Sequence, residues 1–118
     1  MILADTSLWV QFFRRGVPEF SIALEEGRIL IHPIVLGELA MGNLANRKQT
    51  LAALRNLPCT KVGTAEECLQ FLETHSLYGR GIGWNDLQLL AAARLSNLPL
   101  WSFDTRLNAA ASELGIGY

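Results

Sequence analysis

The chain predicts an α/β layer fold with a mostly parallel sheet, on three observations. Short apolar runs without alternation, at residues 1–4 and 98–102, read as strands buried on both faces. Each run is followed by a helix-length segment with its own start and stop residues, so strands and helices alternate. The chain has 118 residues, half of them hydrophobic, which is enough for one domain, 1–118, with a real core. No repeat, linker or low-complexity segment divides it.

In order, residues 1–4 form the first strand. Thr6 or Ser7 then opens a helix carrying Leu8, Trp9, Phe12 and Phe13, which ends near Gly16. Pro18 starts a second helix, stopped by Gly27. Residues 28–32 read as a strand, and 33–42 and 46–57 as two helices. A short strand is expected at 59–62. Thr64 caps a helix running to about Leu77, and Glu67 three residues on completes a capping box. Three glycines within 79–83 require a loop. Asn85 or Asp86 opens the next helix, to Leu95. The last strand is 98–102, and 105–114 the last helix.

Mean hydropathy of +0.22 argues against disorder, and no stretch approaches the roughly 18 apolar residues of a membrane span. No secretory leader is expected, because the start lacks a basic region and Asp5 interrupts its apolar run. Cys59 and Cys68 match no zinc or redox spacing and are expected to be reduced, in a cytoplasmic protein. The net charge is −1 and the pI about 6.1, which does not advertise a nucleic-acid binder. Eight of the ten basic residues are nevertheless Arg, the side chain best shaped to grip phosphate. Arg14, Arg15, Arg47, Lys48, Arg80 and Arg106 are the candidates for a local basic patch. His32 reads as a strand-end residue and His75 as exposed. Trp9, Trp84 and Trp101 are assigned to the core. Trp84 is the exception to watch, because it adjoins Asp86 and the glycine loop and could stack on a base.

Four acids stand out: Asp5, Glu38, Asp86 and Asp104. Each is embedded among apolar or small residues, where a carboxylate is costly unless its charge is compensated. Asp5 and Asp104 end strands, where sites of parallel sheets form. Asp5, Asp86 and Asp104 also stand at helix starts, where an acid serves equally as an ordinary cap. Glu38 has no such explanation. It lies inside a helix begun by Pro33 and shares a face with Ile34, Val35, Met41 and Gly42. Together the four point to a hard divalent cation, Mg²⁺ or Mn²⁺, and so to phosphodiester hydrolysis. The hydroxyls of Thr6, Ser7 and Ser102 flank the acids and are placed to orient them from behind.

These residues carry a family resemblance. The opening Asp5-Thr6-Ser7 with its Leu-Trp-Val helix, the Gly37-Glu38-Leu39 helix, Asp86 followed by Leu89 and a run of alanines, and Ser102-Phe103-Asp104 after a strand resemble a PIN-domain ribonuclease. Length and spacing resemble the VapC type, the toxin half of a toxin–antitoxin pair, over almost the whole chain. The resemblance implies a PIN-like α/β/α sandwich around a mostly parallel central sheet. It also implies a Mg²⁺- or Mn²⁺-dependent endoribonuclease acting on RNA, a small cognate antitoxin that covers the acidic site, and a homodimer. Its acidic set falls on Asp5, Glu38, Asp86 and Asp104. Ser102 departs from the threonine common in the family but keeps the hydroxyl. A housekeeping RNA-processing nuclease of the same fold is the alternative. A phosphoacceptor domain fits less well: Asp5 stands alone after the first strand, and Lys48 and Lys61 are the only lysines.

Overall fold

The computed structural model describes residues 1–118. Three short strands, β1 (Ile2–Ala4), β2 (Ile29–Leu30) and β3 (Leu100–Trp101), form a parallel sheet in the order β2-β1-β3. Ile2 pairs with Ile29 and Leu3 with Leu30 on one side, and Leu3 with Leu100 and Ala4 with Trp101 on the other. Strand β1 is therefore central, with chain crossovers leaving in both directions. That makes its carboxyl end a topological switch point, where a crevice forms between diverging loops.

Seven helices clothe the sheet: α1 (Thr6–Arg15), α2 (Pro18–Glu25), α3 (Pro33–Ala40), α4 (Arg47–Arg55), α5 (Ala65–Thr74), α6 (Trp84–Ser96) and α7 (Thr105–Glu113). Helix α3 packs against α1 and α4. Helix α5 packs against α6, and α6 and α7 both lie on β3. The result is the expected α/β/α sandwich. Its strands are buried throughout, as a sheet covered on both faces requires. Ala91, Ala92 and Ala93 are buried and bring α6 close to its neighbours. Phe20 lies at the centre of an aromatic cluster, with ring centroids 4.8 Å from Trp9, 5.1 Å from Phe12 and 5.6 Å from Trp101. No helix is long and apolar enough to cross a membrane.

Several boundaries differ from the sequence expectation. Residues 59–62 form no strand. Ile31 pairs with Cys59 in a single bridge, and the Lys61 amide then turns away to Ser96 Oγ, 2.9 Å distant. At the opposite edge, where no strand was expected, Leu100 bridges Gly117. Helix α5 ends at Thr74, with the predicted Thr64–Glu67 capping box in place. Helix α6 begins at Trp84 with Gly83 as its cap, one residue before the earliest predicted start. Asp86 is therefore inside the first turn and does not cap the helix. His75 is half-buried, its ring 4.7 Å from that of Phe71, and is not the exposed residue expected.

Candidate active site

Asp5 is the first residue beyond β1 and only 4% exposed. It caps α1, its Oδ1 accepting from the Leu8 amide at 3.1 Å and from Ser7 Oγ at 2.7 Å. Its Oδ2 accepts from Ser102 Oγ at 2.5 Å. Burial pushes the Asp5 carboxyl up from its ordinary pKa. The hydrogen bonds from Ser102, Ser7 and Leu8 pull it back, and Asp104 adds a smaller upward push.

Ser102 follows β3 as Asp5 follows β1, and the register sets the two side by side. Its hydroxyl donates to Asp5 and accepts from the Asp104 amide at 2.9 Å. Ser7 Oγ accepts the Phe103 amide at 3.0 Å. The two serines thus fasten the loop before α7 to the start of α1. Asp104 caps α7, its Oδ1 accepting the Leu107 amide at 2.9 Å. Capping and site membership are compatible, because a carboxylate offers about four lone-pair positions and capping takes one.

Glu38 lies on the solvent side of α3, and Thr6 Oγ1 donates to its Oε1 at 2.8 Å. That contact turns it toward the start of α1, beside Asp5. Asp86 is half-buried in the first turn of α6. Burial raises its pKa first, then repulsion from Asp104. The Gly83 backbone opposes the rise, and Asp5 and Glu38 add to it. All three other acids therefore lie within electrostatic reach of Asp86. Hydrogen bonds join Asp5, Ser7, Ser102 and Asp104, and a separate one joins Thr6 to Glu38; none ties Asp86 to them.

No three of the side chains surround one point at coordination distance. The arrangement is an open acidic rim. The four acids offer oxygen alone, with no His or Cys among them. That donor set fits a hard cation that keeps part of its water, as Mg²⁺ does.

Two contributors had no clear sequence signal. Asn108 Nδ2 donates to the Ser102 carbonyl at 2.7 Å and holds the loop before α7 from behind. His32 caps α3, its Nδ1 accepting the Ile34 amide at 3.0 Å. A His directly before a Pro at the first helical position is the only hint of that cap.

The basic candidates divide. Arg47 is taken up by the carbonyls of Ala40 and Gly42, and Arg80 pairs with Glu113 at 2.8 Å. Arg14, Arg15 and Arg106 are exposed. Trp9 and Trp101 fill core as expected, but Trp84 is 44% exposed, because the earlier start of α6 sets it on the rim.

The family model described as the PIN domain matches residues 2–113. The chain belongs to the PIN-domain family. Within that family its likeness is to the VapC type. It is 37% identical over 117 residues to the protein named Ribonuclease VapC32 of Mycobacterium tuberculosis, in strains CDC 1551 / Oshkosh and ATCC 25618 / H37Rv. The match covers 98% of this PIN domain and 94% of that protein. In fold, the PIN domain is similar to PAE2754 from Pyrobaculum aerophilum, with a TM-score of 0.62 at 16% identity over 92% of this chain and 78% of that one. It is equally similar to FitAcB from Neisseria gonorrhoeae, with a TM-score of 0.62 at 21% identity over 95% and 94%.

Proposed function

We propose that this PIN domain is an endoribonuclease dependent on Mg²⁺ or Mn²⁺, the toxin of a type II toxin–antitoxin pair. What supports the reading is that Asp5, Glu38 and Asp104 all act electrostatically on Asp86, in a chain similar throughout to a named ribonuclease. The four carboxylates are the proposed ligands. The bound cation would stabilise charge on the leaving oxygen of an in-line hydrolysis. The chain's own residues prepare the site. Ser7 and Ser102 fix both oxygens of Asp5, Thr6 turns Glu38 inward, and the caps of α1 and α7 hold two acids at rigid helix starts. Such positioning by neighbouring donors is what keeps ligands in productive geometry.

The proposed partner is a small antitoxin that lays an apolar segment along α1 and α3 and reaches the acids with an Arg. A guanidinium neutralises clustered carboxylates while hydrogen-bonding two oxygens. Phe13 is 41% exposed and Met41 88%, and a cleft beside them is lined by Val10, Phe13, Leu39 and Glu38 itself. Action in the cytoplasm and a homodimer complete the proposal.

The test is cleavage of RNA with Mg²⁺ or Mn²⁺, chelator and Asp86→Asn. Cleavage should require the cation, leave 5′-phosphate and 3′-hydroxyl ends, and fall more than about 100-fold in Asp86→Asn, beyond the usual range for an outer-shell residue. Activity surviving excess chelator, or 2′,3′-cyclic phosphate ends, contradicts it. Growth arrest on expression of the chain, relieved by the neighbouring gene's product, separates a toxin from a housekeeping nuclease.

A further inference from the structure

The glycine loop at 79–83 borders the acidic rim, and its three ordered features point to one ligand. Gly81 has a φ of +79°, and a Cβ there would stand 2.7 Å from Arg106 Nη1 and 3.0 Å from its Cδ. The Arg106 side chain therefore lies against the loop backbone, at a residue whose positive φ favours glycine. Arg106 stands two residues beyond Asp104, in the first turn of α7. The ion pairs of the chain are Arg28–Glu26 and Arg80–Glu113, so Arg106 is an exposed cation without an acidic partner.

At the other end of the loop, Trp84 opens α6 two residues before Asp86, and Tyr78 stands ahead of the glycines. They are 44% and 60% exposed. Both line a cleft of about 180 Å³ with Leu72, Leu77, Ile82 and Leu87. That volume is well below the roughly 300–1,000 Å³ of a pocket for a drug-sized molecule, but it can receive one flat ring. An exposed indole and phenol beside an acidic site are costly to leave in water, and aromatic faces of this kind stack unpaired bases.

We propose that Arg106, Trp84 and Tyr78 form a nucleotide subsite for single-stranded RNA beside the four acids. Arg106 binds a phosphate flanking the scissile one, and the attached base stacks in the Tyr78–Trp84 cleft. The subsite rests on the nuclease reading. It also answers a difficulty in that reading: the chain is net acidic, and the rim alone repels a polyanion. An unpaired guanidinium two residues from Asp104 gives the strand a local hold where the overall charge gives none.

The experiment uses the full chain carrying Asp86→Asn, so that probes survive, and measures anisotropy of fluorescein-labelled ten-nucleotide rA, rC and rU. Adding Trp84→Ala should weaken the best-bound probe about 5- to 100-fold, the range that one base–aromatic stack supplies. Trp84→Phe, which keeps a stacking face, should stay within about threefold. Arg106→Gln should weaken all three probes alike and reduce the salt slope by about 0.7, the share of one phosphate in a single strand. Circular dichroism melts confirm that each variant is folded. Unchanged affinity in Trp84→Ala overturns the subsite, as does equal loss in Trp84→Ala and Trp84→Phe, or no binding of any probe. Wild-type cleavage of total RNA is scored separately. Cleavage without an effect at Trp84 sinks only the subsite, and binding without any cleavage sinks only the nuclease.

Discussion

At the scale of single residues, Ser102 does more than its size suggests. One hydroxyl satisfies Asp5 Oδ2 and the Asp104 amide together. Ser102→Ala strands both groups, one of them on a buried acid. The expected cost is about 1–3 kcal/mol in stability, read from denaturant melts, with activity down about 10- to 100-fold. Ser102→Thr keeps the hydroxyl and should retain most activity, and a collapse there would show that the pocket rejects the added methyl. Asp86 gives a prediction of opposite sign. Burial and the other acids raise its folded pKa above the unfolded value. The folded chain then holds that proton more tightly, so stability is greatest below the unfolded value and falls as pH rises through the folded one. Asp86→Asn should therefore melt higher than the parent at pH 7, with the gap closing below about pH 4. A lower melting temperature at pH 7 would mean that Asp86 is stabilising instead. The burial of Asp5 and half-burial of Asp86 were legible in the sequence because apolar neighbours betray a costly charge. Asn108 was not, because its role depends on where the start of α7 aims it.

Among the elements, α3 shows how a cap can serve a distant group. His32 is 1% exposed, burial lowers its pKa, and its Nδ1 accepts the Ile34 amide at the start of the helix that carries Glu38. Asn is a strong cap of smaller size, and Leu fills space without capping. His32→Asn should keep the helix start and most of the activity. His32→Leu should lose about 1 kcal/mol of stability and lower kcat more than KM, because Glu38 moves with the helix. Equal effects of the two changes would leave His32 a packing residue. Helices were the readable elements because Pro18, Pro33, Thr64 and the glycines mark their ends chemically. Strands of two or three residues carry no period, so their limits come from pairing partners. Residues 59–62 looked like a strand and made one bridge; the Lys61 amide found Ser96 instead.

For the molecule as a whole, the sheet is finished by its last residues. Leu100 donates to the Ile116 carbonyl at 2.7 Å and accepts the Tyr118 amide at 3.1 Å, while Tyr118 lies over Trp101 with ring centroids 4.7 Å apart. Removing residues 116–118 should cost at least about 2 kcal/mol, two backbone hydrogen bonds at about 1 each, and expose the β3 edge to pairing with other copies. Thermal melts and concentration-dependent light scattering check this, and unchanged values for both would show that the edge is protected some other way. The proposed acidic set was picked out by residue type and neighbours, but its geometry was not legible. Nothing local states that β1 is central or that Thr6 reaches Glu38, 32 residues away.

Central placement of β1 also sets a timetable. The strand precedes both of its partners along the chain, yet one of them is β3, and Asp5 meets Ser102 across a separation of 97 residues. Contacts so distant along the chain form only once both ends are available. Asp5 therefore has no Ser102 beside it until β3 and the turn that follows have joined the sheet. The carboxylate that two serines hold in the folded protein is thus among the last groups to find its partners, and a chain lacking β3 leaves it without Ser102.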